Sequence, residues 1–146
     1  MRRTFGTVIL VILGLFFLLT AWQSGTDPAG FAQQLGLSLT NPGGYNEIRS
    51  QYGGCFLFAA IACFAALGGW VSRRSAFVVA TVIFGGLFVG RLVSLWADGG
   101  LSGYGGLIRA LYIIDALGLT LTVTAMTLDR RNPTPSSLAW RDDQSG

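Results

Sequence analysis

Four apolar runs of roughly 18 to 25 residues hold almost all the hydrophobic side chains of this 146-residue chain, and about 20 such residues let a helix span a bilayer core. They cover residues 5–22, 45–71, 76–96 and 107–128. The composition agrees: 51% of residues are hydrophobic and only 12% charged, where a soluble domain carries about 25% charged. The mean hydropathy is +0.55. The predicted class is all-α: a polytopic membrane four-helix bundle, up-down-up-down, over residues 1–132. A flexible cytoplasmic tail is expected over 133–146, where the chain turns polar and begins with Pro133.

The first run follows Arg2 and Arg3 and reads either as a membrane helix or as a signal peptide. It is longer than the roughly 7 to 15 residue core of a signal. Thr20-Ala21-Trp22-Gln23-Ser24 offers no good small-x-small cleavage site. Both features favour a retained helix. Between the first two runs, Asp27 can cap a helix whose first residue is Pro28. Phe31 and Leu35 would share one face of it, with Gln33 and Gln34 toward water. A short helix at the membrane surface and a plain loop are both compatible with this stretch.

All ten basic residues are Arg, and seven of them, Arg2, Arg3, Arg73, Arg74, Arg130, Arg131 and Arg141, flank one side of the arrangement. The loops on the other side, residues 23–44 and 97–106, hold no Arg or Lys. Cytoplasmic termini and two periplasmic loops in a bacterial inner membrane follow as the expected orientation. Trp22, Tyr45, Trp96 and Tyr104 would form an aromatic belt on the periplasmic side. Arginine pairs at helix ends are topology signals, so the net charge of +3 argues for no nucleic-acid partner. Cys55 and Cys63 stand eight residues apart on one run, about 12 Å along a helix, too far for a disulfide. With no His in the chain and no thiol pair at metal spacing, neither a metal nor a cofactor is expected.

Three arginines remain, Arg49, Arg91 and Arg109, each near the periplasmic end of its run. Glu47, Asp98 and Asp115 stand close to the same level. Arg91 lies about 8 Å inside Trp96 and Asp115 about 12 Å inside Leu107, depths at which a charge costs a few kcal/mol and is paired, turned inward or functional. Helical spacing groups Arg91, Ser94 and Asp98 on one face, Arg109 with Tyr112, and Tyr45, Arg49 and Tyr52 on another. Three readings stay open: salt bridges between helices, a ligand pocket opening to the periplasm, and an acid-base site. Gly86 and Gly90 form a G-x-x-x-G, and Ala59, Ala62, Cys63 and Ala66 a small-residue seam, both pointing to close helix packing within one chain or between copies.

The stretch Asn46-Glu47-Ile48-Arg49-Ser50-Gln51-Tyr52-Gly53-Gly54, with Gly90-Arg91-Leu92-Val93-Ser94 and Asp98-Gly99 further on, resembles the bacterial family catalogued as domain of unknown function 4345. The resemblance covers roughly residues 5–128, including Ala29-Gly30-Phe31. It implies a small four-helix membrane protein and singles out Glu47, Arg49, Arg91 and Asp98 without giving them roles. Gly99-Gly100-Leu101-Ser102 stands where the resemblance leads one to expect Pro-Ser after Asp-Gly. In size and helix count the chain is also similar to the DoxX-like membrane proteins, a likeness of fold alone.

The function expected from these features is binding of an amphiphile, or service as an accessory membrane subunit, through the periplasmic polar cluster. Its ligand-binding candidates are Glu47, Arg49, Arg91, Asp98, Arg109 and Asp115. The alternative is an enzyme modifying a lipid or isoprenoid, with Glu47 or Asp115 as acid or base. The expected partners are the lipid bilayer, a lipid or isoprenoid ligand, and a second copy or a larger membrane complex.

Overall fold

A computed structural model describes residues 2–129. The expected tail over 133–146, with Arg130, Arg131 and Arg141, lies outside the described residues. Six α-helices and one π-helical segment follow each other: α1 (Arg2–Thr26), α2 (Pro28–Gln34), α3 (Pro42–Ile48), the π segment (Arg49–Gly54), α4 (Cys55–Leu67), α5 (Arg73–Ala97) and α6 (Gly106–Asp129). The middle pieces α3, π segment and α4 run on as one rod. Four helices are therefore long and apolar enough to cross a membrane: Thr4–Thr26, Pro42–Leu67, Arg73–Ala97 and Gly106–Leu128.

The helix ends are set by local chemistry. The Asp27 carboxylate accepts from Gly30 N at 3.0 Å and starts α2 at Pro28. Asn41 does the same for α3 through Gly44 N at 3.0 Å. The second long helix stops at Leu67 and not at residue 71, because Gly69 takes φ +78 and lets Trp70 N donate back to Ala65 O at 2.9 Å. A side chain at that position would resist the left-handed turn. Arg73 and Arg74 thus open the third long helix, three residues earlier than expected, because Ser72 caps it by accepting from Ser75 N at 3.0 Å. Arg73 also donates to Thr7 on α1, so it ties two helices together as well as marking the end.

The four long helices alternate in direction. Gly14 faces Cys63 and Phe64 while Gly53 faces Ser24 and Gly25, so α1 and α4 run antiparallel. Phe84 lies on Gly118 and Arg91 on Asp115, so α5 and α6 do too. The small-residue seam is used: Ala59, Ala60, Cys63 and Ala66 are buried on α4, with Ala62 half-buried. Phe17 at the centre meets Phe56 and Phe84 with ring centroids 5.6 and 5.4 Å away.

The core is lopsided. On α5 the buried residues are Ala76, Phe77, Ala80 and Phe84, all in the half next to the short turn after α4. On α6, Gly118, Thr122 and Ala125 are buried in the same half, with Asp115 at its upper edge. Above that edge α5 and α6 bury nothing among the described residues, and the bundle opens toward its long-loop end. Into this end α2 folds inward. Phe31 and Ala32 bury against Ile48, and the Phe31 ring lies 5.0 Å from that of Tyr52. Gln33 and Gln34 stay exposed, as the spacing predicts, but the apolar face of α2 meets protein where a membrane-surface helix would meet lipid.

Candidate functional site

The open end holds two adjoining hollows. An outer cleft of about 510 Å³ is lined by Gly86, Gly90, Arg91, Ser94, Tyr104 and Tyr112 among others. An inner chamber of about 150 Å³ reaches between α1, α2 and α6, walled mainly by Phe16, Phe56, Leu107 and Leu111. Leu35, Tyr52, Leu87 and Arg91 line both, so Arg91 stands at the junction.

Gly86 and Gly90 have open space where a Cβ would point. The expected close packing at this G-x-x-x-G is therefore not found within the described chain; the two glycines leave the wall of the cleft low. The tight α5–α6 contact is made elsewhere, by Gly118. A Cβ there would come within 2.6 Å of the Phe84 ring. The sequence signal was only a glycine less than one turn after Asp115, and spacing alone did not single it out.

At the floor of the cleft Arg91 Nε donates to the Asp115 carboxylate, forming an ion pair between α5 and α6. The Asp115 side chain is 2% exposed and that of Arg91 18%. An enclosed charge left alone would be costly, so each residue accounts for the other's depth. Pairing through Nε leaves the two Nη groups without a hydrogen-bond partner among the described residues. The Arg91 Cζ lies 5.8 Å from the centre of the Tyr112 ring. Tyr112 in turn donates from its hydroxyl to the Arg91 carbonyl at 2.8 Å. The guanidinium is held from two sides with its fork still available.

Arg91, Ser94 and Asp98 do line one wall, as their spacing predicts. Asp98 sits at the mouth and accepts from the Tyr104 hydroxyl. That hydrogen bond, with the nearby carboxylate charge, pushes the Tyr104 phenol above its ordinary range. Arg109 is exposed and turned to the loop, where it donates to Ser102 O at 3.2 Å. It joins neither hollow. Glu47 is exposed on α3 and also lines neither.

Arg49 lines neither hollow. Its expected alignment with Tyr52 assumes α-helical spacing, but Cys55 N donates to Ser50 O five residues back, and a π turn is wider. Tyr52 is thereby aimed into the cavity while Arg49 lines a separate groove with Trp22 and Gly25. Of the six candidates, the fold brings together Arg91, Asp115 and Asp98, and leaves Glu47, Arg49 and Arg109 outside.

Fold and site together define a multi-pass helical membrane protein with a charged pair at the base of a cavity open at one end. The chain belongs to the family described as Domain of unknown function (DUF4345), whose model matches residues 5–127. No curated protein and no solved structure matches it. Among the described residues there is no group of three or more His, Cys, Asp or Glu placed to hold a metal ion.

Proposed function

We propose that the protein binds an amphiphile with an anionic headgroup in the cavity between α5, α6 and α2. The observation that carries this reading is the paired but half-used Arg91: Asp115 fixes it through Nε, and its two Nη groups stand at the junction of a polar cleft and a mostly apolar chamber. A guanidinium fork suits phosphate or carboxylate oxygens. Ser94, one turn toward the mouth, adds a hydroxyl, and Phe16, Leu107 and Leu111 offer apolar contact to a chain. In this reading Asp115 is a positioning residue. Binding is favoured over turnover because Asp115, the one carboxyl lining the inner chamber, is engaged by Arg91. The absence of Arg from residues 23–44 and 97–106 supports placing the open end in the periplasm of a bacterial inner membrane, with both termini cytoplasmic.

Native mass spectrometry of protein released from mild detergent tests the proposal. Wild type should carry a bound amphiphile that Arg91→Gln loses, and that Ser94→Trp, which fills the cleft from an exposed position, also displaces. Glu47→Gln should retain it. Equal occupancy in all four proteins, or loss in Glu47→Gln alone, would overturn the assignment.

A further inference from the structure

A second groove, of about 290 Å³, lies between α1 and the π segment and shares no lining residue with either hollow of the cavity. Its floor is backbone and small side chains, Ala21, Gly25, Gly53 and Gly54, and its sides are Leu18, Trp22 and Leu57. Arg49 is its one charged lining residue, exposed and without an ion-pair partner among the described residues. Gly53 and Leu57, four and eight residues further on, line it together with Arg49. We infer that this groove binds an anionic phospholipid of the surrounding bilayer, with the phosphate on Arg49 and one acyl chain along the small-residue floor.

Depth and charge carry the inference. Gly53 packs against Gly25, so Arg49, one turn nearer the loops, stands level with the last residues of the span Thr4–Thr26. That is where headgroups meet a membrane helix, and Trp22, 69% exposed, stands about one turn deeper on the same groove. From Thr26 down to Leu18 the groove runs about 12 Å toward the hydrocarbon at 1.5 Å per residue. All its lining below Arg49 is apolar or glycine apart from Thr26. A free cation above an apolar trough is complementary to a lipid with a negative head and a hydrocarbon tail. A second copy fits less well, because a symmetric dimer through this face would set Arg49 against Arg49. The site is independent of the central cavity.

Trp22 offers a local probe. A variant keeping Trp22 as its only tryptophan is reconstituted in phosphatidylcholine vesicles containing a minor share of brominated phosphatidylglycerol or, separately, brominated phosphatidylcholine. One basic residue at the headgroup level predicts a preference of about fivefold for the anionic quencher. Arg49→Gln should abolish the preference, and Arg49→Lys should keep most of it. Gly25→Leu, placed where the structure has open space for a side chain, should reduce quenching by the anionic lipid without disturbing the core. Equal quenching by the two lipids in the parent protein, or a preference that survives Arg49→Gln, would overturn the inference. So would protection of Trp22 from both quenchers, which would mean that a protein surface covers the groove.

Discussion

Replacing Arg91 by Met keeps the length of the side chain and removes the charge opposite Asp115. The carboxylate is then left enclosed, its side chain 2% exposed, and breaking a buried pair from one side costs about 3–5 kcal/mol. The reverse change, Asp115→Leu, leaves Arg91 without its partner, but Arg91 is 18% exposed and lines the open cleft. Its guanidinium can turn to water there, so the loss is closer to that of one charged hydrogen bond, about 1.5–3 kcal/mol. The double variant removes both charges and should be more stable than Arg91→Met alone, since an apolar replacement of a buried pair is often close to neutral. Unfolding free energies of the four proteins, measured in one detergent by denaturant titration, give the coupling directly. Single losses that add within about 0.5 kcal/mol would mean that the residues do not interact. A larger loss for Asp115→Leu than for Arg91→Met would refute the burial argument even if coupling were found.

Other consequences are as direct. Gly118→Ala should destabilise the bundle by about 1–3 kcal/mol through overpacking, because the new methyl meets the Phe84 ring, whereas Gly86→Ala, with open space at its Cβ, should change the melting temperature little. Alkaline phosphatase fused after Gly43 or Gly100 should be active and after Arg74 inactive; activity at Arg74 would reverse the orientation. The raised Tyr104 pKa means that the phenol stays protonated, and its bond to Asp98 intact, as pH passes the ordinary value of 10.0, the contact being lost only as pH climbs through the higher folded value. Phenolate absorbance of wild type minus Tyr104→Phe should therefore rise only above that pH, and a rise at or below it would show that the Asp98 contact is absent in solution.

The four long helices were legible because long uncharged apolar runs have few other solutions, and the Arg91–Asp115 pair because two opposite charges at matching depths on neighbouring runs need each other. The missed boundaries have local causes. Residues 68–71 look apolar enough to continue a span, but Gly69 turns the chain back after Leu67. Arg49 was grouped with Tyr52 by α-helical spacing, and nothing in Ser50-Gln51-Tyr52-Gly53-Gly54 announces the wider turn, though the paired glycines tolerate it. The helix α2 was half legible. Asp27-Pro28 marks its start, but what its apolar face covers depends on Ile48 and Tyr52, which only the fold brings near. A pocket opening between the helices was one of three readings that the charges left open, but its apolar lining was hidden, because hydropathy does not distinguish a side chain facing lipid from one facing a cavity: Leu107 and Leu111 read like any membrane leucine.

Whether the space above the Arg91–Asp115 pair holds a ligand is decided by a density map of the protein in lipid nanodiscs. Elongated non-protein density is expected in the inner chamber, with its polar end within hydrogen-bond reach of the Arg91 Nη atoms and Asp115 still on Nε. A cleft closed by α5 and α6 coming together, or one filled by water alone, would contradict this expectation.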